Sequence, residues 1–558
     1  MTDETMSEGK AKKPGLLRRI LRWLWVILLT ALLALGFVFA APWKVITLIA
    51  IFLAGATILP RVYRKWFWLG VGIVVLAIIA WIFLPDNNKD WRPYQFDKEL
   101  AQLQAKYAVP DSENAAIAYN KILADWKQKE ANEPNLPDCW FDNVRKGPWS
   151  SKDQPEIAAY IKYHQNEIES VLQATKIEKC SFPVVAKLED YGKDTGRLPA
   201  IRHWAYLLVA SGNNDLGEGK PKEASEKYLA LLRGGQHLSG QPNSLYMLIG
   251  IAIEALGLGA INNFVVNQDA NELYLNQIEQ SVSQVKHDWN NDLPGFIDTD
   301  KLKFKNMVSE LFYEINQKGK VRFSHDPMAK IRESAKELLA DTNSAKADIF
   351  SDYWFKKLFK AYAILYWFYM PQTPEKMGKI VDAEFKNNYT LTDANFDWSK
   401  EPQAIPIESL FKYKMNFHNH VKILAQMNLK TYFNLHDIYL ETQAKQRGTL
   451  LIIALRHYKN ANGHWPEKLE DMNNLVPADT FIDSVNCGTF VYRRTGDSFM
   501  LYSRGKNNID EDGEYETKNI KNYPYVETIK DDKIIWPYKS KSSIQQEVKA
   551  DANEGAIK

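Results

Sequence analysis

The chain has little cysteine and little net charge for its 558 residues. Its three cysteines, Cys139, Cys180 and Cys487, allow at most one disulfide. Cys139 and Cys180 bracket one predicted helical region and could form a disulfide in an oxidising compartment, in which case Cys487 would remain unpaired. The equally favoured alternative is that the cysteines are unpaired buried thiols. The formal net charge of +2 creates no global positive field, so nucleic acid is not an expected partner.

Sequence signatures of catalysis are also missing. Neither G-x-S-x-G nor H-E-x-x-H occurs. The segment GEGKPK comes nearest to a phosphate-binding loop, but Asn214 stands where the motif needs its first glycine and Pro221 where it needs serine or threonine. Cys487 has no activating neighbour in the sequence. These absences argue against an enzyme.

Two pairs of side chains are spaced closely enough in the sequence to be considered as metal-binding or acid–base sites. His418 and His420 are two residues apart, so on a helix they point in different directions and make a poor zinc pair. Glu310 and Glu314 are one helical turn apart and could share a proton or a metal. Such glutamate pairs occur far more often on solvated helix faces, which is the interpretation preferred here.

Long apolar runs are concentrated in the first 85 residues. They lie at about Trp23–Ala41, Trp43–Pro60 and Trp66–Leu84, each near the ~20 residues that a helix needs to cross a bilayer. A cleaved signal peptide is excluded because two runs follow the first and no small-x-small cleavage site precedes them. We predict a basic tail at residues 1–19 and three transmembrane helices within residues 20–85.

Basic residues predict the orientation of these helices. Nine flank one side, namely Lys10, Lys12, Lys13, Arg18, Arg19, Arg22, Arg61, Arg64 and Lys65, against three on the other, Lys44, Lys89 and Arg92. The excess predicts a cytoplasmic N-terminus in a bacterial inner membrane, with everything after residue 85 in the periplasm. The link at residues 41–44 is short, and a re-entrant hairpin there would leave two crossings and a cytoplasmic domain.

Residues 86–443 are predicted to form a large α-helical extracytoplasmic domain, so the fold class is mainly α. Ala115 and Tyr119 begin one apolar stripe, and Ala224 and Tyr228 begin a second that ends at Gly234-Gly235. Both fit Ala-x-x-x-Tyr-x-x-apolar, which resembles the second helix of tetratricopeptide hairpins. Two copies so far apart indicate helix hairpins, with a repeat scaffold as the minor alternative.

Further helices follow from apolar periodicity and from the breakers between them. They are predicted at Ser244–Val266, Ala270–Trp289, Lys301–Gln317, Met328–Leu339 and Ser351–Met370, with NDLPG, FSHDP and MPQTP as breakers. The run Ala361–Met370 is too short to span a bilayer and is expected in the helical core. A long helix is predicted from His420 to Ala461, with Gly448 as the position of a break.

Residues 444–540 differ from the preceding domain in that short β-rich runs follow the helix, and we predict a small α+β module there. GTFVYRR and DSFMLYSRG are short β-rich runs joined by Thr495-Gly496-Asp497, a hairpin signal. The order of landmarks resembles the globular domain of the major pseudopilin of type II secretion: Ala454-Leu455, Tyr458, Gly463, Trp465-Pro466, Leu469, Tyr492, Leu501-Tyr502-Ser503, Gly505 and an acidic loop. The whole layout is similar to multi-span bacterial membrane proteins that end in this module. The polar residues 541–558 are predicted to be disordered.

The resemblance covers about a sixth of the chain and implies a long helix on a small antiparallel sheet. It does not extend to the N-terminus, because Leu16, Leu17, Arg18, Arg19 and Ile20 lack the processed pseudopilin segment and its glutamate. The family's Asp-Pro before the strands is here Asp483-Ser484. The resemblance therefore implies a domain fold and a metal, but not assembly into a pseudopilus.

The acidic loop NNIDEDG is the candidate site. Asn508, Asp510 and Asp512 place oxygens at alternate positions before Gly513, as in calcium loops. Position twelve is Asn519 rather than glutamate, so the loop is not an EF-hand. The pseudopilin resemblance implies calcium ligands from a second acidic cluster ahead of a tryptophan.

That second cluster is present as Asp531 and Asp532, before Trp536. The metal candidates are thus Asn508, Asp510, Asp512, Asp531 and Asp532, with Ca²⁺ as a structural ion; a solvated acidic turn is the equal alternative.

Two functional hypotheses follow from the sequence. The first is a membrane-anchored cell-envelope scaffold or interaction protein, related to secretion, with a calcium-stabilised C-terminal module and an envelope protein as partner. The alternative is an envelope enzyme or carbohydrate-binding protein with a cleft that gathers Trp204, Trp289 or Trp354 with carboxylates.

Overall fold

The computed structural model describes residues 90–129, 134–137, 140, 147–268, 271–324, 370–393, 396–400, 417–519 and 526–537, together with 65, 68–70, 72 and 73. Two predicted segments, the basic tail at 1–19 and the C-terminal tail at 541–558, lie outside these residues, as do almost all of the three apolar runs. Cys139, Trp354, the helix predicted at Met328–Leu339 and nearly all of that predicted at Ser351–Met370 lie outside them too.

The described part of the chain is mostly helical, as predicted. The helices are α1 (Asp97–Lys106), α2 (Ala115–Lys129), α3 (Pro155–Tyr163), α4 (Gln165–Ala174), α5 (Leu188–Gly217), α6 (Pro221–Ser239), α7 (Ser244–Asn267), α8 (Glu272–Gln284), α9 (Trp289–Phe312), α10 (Pro374–Phe385) and α11 (Phe417–Asn462). The strands are β1 (Trp91–Pro93), β2 (Tyr313–Asn316), β3 (Val321–Phe323), β4 (Val491–Thr495), β5 (Ser498–Ser503), β6 (Tyr515–Asn519), β7 (Val526–Asp531) and β8 (Lys533–Trp536).

The chain divides into two compact units. The first contains residues 1–95, 307–384 and 404–427. Its described core is an antiparallel sheet in the order β1-β2-β3, with Trp91 opposite Asn316 and Ile315 opposite Val321. The guanidinium of Arg322 lies 4.1 Å from the centroid of the Trp91 ring.

The second unit contains residues 96–306, 385–403 and 428–558. One hydrophobic core runs through it, from α2 to α8 and on through the C-terminal part of α11 to β8. Both predicted apolar stripes are buried in this core, with Ala115 and Ala224 fully inside and Tyr119 and Tyr228 nearly so. The domain boundary at residue 443 stays a prediction.

Glycines explain two errors in the predicted helix ends. Helix α6 does not end at Gly234-Gly235 but continues to Ser239. Helix α11 has no break at Gly448. At Gly235 and Gly448 the missing side chain makes room for a neighbour, because a Cβ would lie 2.3 Å from Glu254 Cγ at the first and 2.4 Å from Ile535 Cδ1 at the second.

Other helix predictions were partly right. Helix α7 confirms the prediction at Ser244–Val266. The predicted breaker NDLPG lies inside α9, where Pro294 falls in the second turn. The predicted helix Lys301–Gln317 ends early, at Phe312, because the next four residues pair with β1 and β3 as strand β2.

Helix α7 is also long and apolar enough to cross a membrane by length and composition, with a mean hydropathy of 1.9. Half of its most apolar window is buried inside the protein. Tyr246, Ile253 and Phe264 lie in the hydrophobic core of the second unit. We therefore describe α7 as a core helix.

The end of α11 packs with the sheet β4-β5-β8, while β6 and β7 form a separate hairpin. Thr495 pairs with Ser498 across Gly496 and Asp497, which confirms the predicted hairpin. Gly496 has a φ of 59°, as this tight turn requires. Trp465 is buried and donates through Nε1 to the Asp497 carbonyl at 2.8 Å, which ties the residues after α11 to the hairpin.

Candidate functional site

The acidic loop and the second acidic cluster lie side by side in the second unit. The loop leaves β5 after Ser503 and returns at β6, while β7 ends at Asp531 and β8 begins at Lys533. Asp532 donates its backbone N–H to the Glu514 carbonyl at 3.1 Å. A Cβ at Gly505 would lie 2.2 Å from the Asp531 carbonyl oxygen, so only glycine permits this approach. The fold thus brings together two segments separated by the whole β6–β7 hairpin.

Asp532 is the central carboxylate of the site. Its side chain is fully buried. Oδ2 accepts from the backbone N–H groups of Glu511 at 2.9 Å and Gly513 at 2.8 Å. Oδ1 is buried and has no hydrogen-bond partner in the structure. Burial raises the pKa of Asp532, against the opposing effect of the two backbone donors.

Asp510 and Asp512 are held by an arginine on the neighbouring strand. Arg493, on β4, donates through Nη2 to Asp510 Oδ2 at 2.8 Å and through Nη1 to Asp512 Oδ1 at 2.5 Å. Tyr502 donates its hydroxyl to Asp510 Oδ1 at 2.7 Å. That hydrogen bond, with the guanidinium, lowers the pKa of Asp510. The two carboxylates are therefore turned toward one positive charge.

The remaining predicted ligands have different environments. Asp531 accepts at Oδ2 from the backbone N–H of Lys506 at 2.6 Å, and its Oδ1 lies 3.8 Å from Lys533 Nζ. Asn508 is exposed and has a φ of 54°, in the left-handed region that asparagine tolerates best among non-glycine residues. Asp512 has a φ of 60° in the same loop. The loop is thus a series of tight turns, with Asn508 at its rim.

Three residues that shape this site were not among the metal ligands predicted from the sequence. Glu511 accepts at Oε1 from Asn507 Nδ2 at 2.8 Å and at Oε2 from the Asp531 backbone N–H at 2.6 Å. Arg493 and Tyr502 lie on strands β4 and β5. Glu511 stands inside the quoted loop, but only the register of the β4–β5 hairpin reveals that Arg493 and Tyr502 reach the same carboxylates.

The site is a cluster of carboxylates, several of which accept hydrogen bonds from backbone N–H groups. Among the described residues, no group of three or more His, Cys, Asp or Glu side chains is arranged to hold a metal ion. The guanidinium of Arg493 lies between Asp510 and Asp512 and pairs with both. The unpartnered, buried Oδ1 of Asp532 is the kind of hard oxygen that Ca²⁺ prefers, so the donor set fits calcium in chemistry.

The other candidates from the sequence are dispersed. Glu314 is on β2, where it accepts from Arg322 Nε at 2.9 Å, while Glu310 accepts from Gln95 at 3.2 Å. His418 Nε2 lies 2.9 Å from Glu384 Oε1. Glu310 and Glu314 are both buried, and Glu314 lies on a strand, so the preferred interpretation of the pair as a solvated helix face is wrong.

The described cysteines are free thiols, and the described candidate tryptophans are buried. Cys180 is a free thiol whose pKa burial raises to about 12, and Cys487 is a free, exposed thiol. Trp204 and Trp289 are buried. Trp204 donates through Nε1 to Glu167 at 2.7 Å and so serves a packed interior network.

Comparisons with protein-family models, with curated proteins and with solved structures find no match to this chain. The likeness of the C-terminal module to a pseudopilin therefore stays an expectation from the sequence.

Proposed function

We propose that this protein is a membrane-anchored cell-envelope scaffold whose C-terminal module is stabilised by calcium and whose helical surfaces bind an envelope partner. The observation that carries the proposal is the carboxylate of Asp532, which is buried with one oxygen unpartnered beside a loop of further acidic residues. An unpaired buried oxygen is costly, and a bound cation would remove that cost.

The calcium ligands would come from Asn508, Asp510, Asp512, Asp531 and Asp532. Ca²⁺ takes about six to eight oxygens in flexible geometry, and backbone carbonyls of the loop would complete the set. The ion would supply a positive charge that links the loop after β5 to the start of β8. Its role would be structural, because the acidic loop is surrounded by strands and backbone donors rather than by a nucleophile or base.

The membrane anchor rests on the three apolar runs and their flanking charges. Within the third run, the described residues 65, 68–70, 72 and 73 are helical. Leu69 and Ile73 are exposed, with relative accessibilities of 55% and 59%. Exposed aliphatic side chains on a helix are expected where lipid covers them.

A sugar-binding cleft has less support. Trp204 and Trp289, two of the tryptophans considered for such a cleft, are 2% and 4% exposed. A ring that is packed inside the protein cannot stack on a sugar face. The interaction role is therefore the stronger proposal.

Calcium binding is tested by thermal unfolding of the full chain in detergent. A ligand at a hundredfold excess over its Kd adds about 2.7 kcal/mol to the free energy of unfolding, so millimolar Ca²⁺ should raise Tm by several degrees and Mg²⁺ by much less. Asp532→Asn should abolish the increment, whereas Asp125→Asn, an exposed aspartate on α2, should preserve it. Equal shifts with Ca²⁺ and Mg²⁺, or a full calcium response in Asp510→Ala/Asp512→Ala, would refute the site.

The anchor and its orientation are tested with reporter fusions. Alkaline phosphatase joined after residue 537 should be active, and green fluorescent protein at the same point should be dark. The reverse pattern would put the large units in the cytoplasm and overturn the envelope proposal.

A further inference from the structure

One face of α7 is apolar and uncovered. Its residues follow one another at steps of three and four: Leu245, Leu248, Ile249, Ala252, Ala255, Leu256 and Gly259. All are exposed or half-buried, with Leu245 at 52% relative accessibility. Water at such a stripe is unfavourable, so an uncovered stripe of this length marks a binding surface.

From Leu248 to Gly259 this stripe forms the floor of a groove, here called the α7 groove, with a volume of about 620 Å³. The walls come from α5, α11 and β8, including Tyr206, Thr449, Ile534 and Ile535. All of the residues that line the groove belong to the second unit. The volume lies within the roughly 300–1,000 Å³ of small-molecule sites.

The charged side chains that line the groove are all basic. Arg202 and Lys445 line it, and no carboxylate is among the described residues that line it. Within the described part of the chain neither Arg202 nor Lys445 forms an ion pair, while the neighbouring Glu441 pairs with Lys533 at 3.4 Å. Lys445 is half-buried and Arg202 is exposed. Burial lowers the pKa of Lys445, and the nearby carboxylate of Glu441 opposes that shift.

Two buried oxygens in the groove also lack partners. Thr449 is fully buried and Asn262 is 4% exposed. Thr449 Oγ1 and Asn262 Oδ1 have no hydrogen-bond partner in the structure. Buried polar atoms are normally satisfied, so these two are positioned to bond a polar group that enters the groove.

We propose that the α7 groove binds one long-chain fatty acid, with its alkyl chain along the α7 stripe and its carboxylate paired with one of the two basic residues of the lining, Arg202 or Lys445. A protein helix would match this lining only if it also carried an acidic group against Arg202 or Lys445. A sugar or nucleotide would leave the aliphatic floor unmatched. A single alkyl chain with an anionic head matches both the aliphatic floor and the basic side chains of the groove. This inference does not depend on calcium binding.

The experiment uses the full chain in nanodiscs of neutral phosphatidylcholine and a palmitate analogue that carries a photoreactive diazirine on its chain. Labelled peptides are identified by mass spectrometry, with unlabelled palmitate and hexadecanol as competitors. We expect labelling within residues 244–267, with palmitate competing at least tenfold better than hexadecanol, which lacks the charged head. Shortening the competitor by two methylenes should weaken it on the order of tenfold.

Matched variants separate the groove from general lipid contact. Ala252→Leu fills the exposed edge of the groove and should reduce labelling at least fivefold, whereas Ala101→Leu, an exposed alanine on α1, should leave it unchanged. Arg202→Gln and Lys445→Gln should remove the preference for palmitate over hexadecanol. Lys422→Gln, an exposed lysine on α11, should retain it.

Each outcome decides the proposal. Equal labelling of wild type and a folded Ala252→Leu, with folding checked by an unchanged Tm, overturns it. So does competition by hexadecanol as strong as that by palmitate. A protein crosslinked to residues 244–267 in native membranes and undisplaced by palmitate would assign the stripe to a partner helix instead.

Discussion

Gly235 and Gly250 lie against each other where α6 crosses α7. A Cβ at Gly250 would come within 2.5 Å of the Gly235 carbonyl oxygen, and a Cβ at Gly235 within 2.8 Å of the Gly250 carbonyl oxygen. The two backbones are therefore in direct contact. Glu254, one turn further along α7, is fully buried beside this contact and accepts from Ser239 Oγ at 3.0 Å.

Adding one methyl group at this crossing should be costly. We expect Gly235→Ala to lower the free energy of unfolding by about 2–3 kcal/mol, because overpacking against backbone cannot be relieved by a rotamer change. The adjacent Gly234→Ala is the control, since its Cβ would meet nothing closer than Thr175 Cγ2 at 3.6 Å. Gly234→Ala should be neutral or stabilising by up to about 1 kcal/mol. Indistinguishable thermal unfolding of the two variants would contradict the crossing geometry.

A second close approach joins α11 to β8. At Gly448 an added Cβ would lie 2.4 Å from Ile535 Cδ1 and 2.9 Å from its Cγ2. We expect Gly448→Ala to cost about 1–2 kcal/mol, less than at Gly235 because a side chain can yield where backbone cannot. Ile535→Val should restore part of that loss in the double variant. Strictly additive losses in a double-mutant cycle would rule out a steric contact between the two residues.

His237 should make stability depend on pH. Its Nδ1 lies 3.0 Å from the Tyr119 hydroxyl, and burial lowers its pKa from 6.5 to about 4. The unfolded chain therefore binds a proton at higher pH than the folded one, so stability is full above pH ~6.5 and falls as pH drops toward 4. Between pH 7 and 5 the loss should be about 2 kcal/mol.

The measurement is denaturant unfolding at pH 7 and pH 5. His237→Gln should reduce the difference but leave the share of His436, whose pKa burial also lowers to about 4. His464→Gln, at an exposed histidine, should leave the difference as in wild type. A His237→Gln protein as sensitive to acid as wild type would show that other groups cause the dependence.

Arg493 should compete with calcium. Its guanidinium lies between two of the proposed ligands, Asp510 and Asp512. Arg493→Gln removes the competing charge, so we expect lower stability without calcium and a larger rise in Tm with it. Arg494→Gln, on the same strand and paired with Glu467 instead, is the control. A smaller calcium response in Arg493→Gln than in Arg494→Gln would exclude competition at these carboxylates.

The sequence predicted the presence of helices and strands better than it predicted the residues at which they end. Apolar spacing identified α7, and the Thr495-Gly496-Asp497 signal identified the β4–β5 hairpin. Gly235 and Gly448 were interpreted as breakers, because a glycine that ends a helix and one that admits a neighbour look the same without the neighbour. Glu314 was placed on a helix for a related reason, since strand pairing with β1 and β3 is not visible in local periodicity.

The acidic site shows the same limit. Asp531 and Asp532 were identified as partners of the loop through a family resemblance, and the structure places them beside it. Arg493 was missed because its approach depends on the register between β4 and β5. Local sequence shows which groups are present, while the pairing of distant segments decides which charges meet.

Strand β8 has four residues, yet it reaches two surfaces. Asp532 precedes it, and Ile534 and Ile535 form part of the wall of the α7 groove. If β8 shifts when either ligand binds, linkage requires that each ligand change the affinity of the other by the same factor. The shortest strand of its sheet therefore lies where binding of a cation and binding of an apolar chain could influence each other.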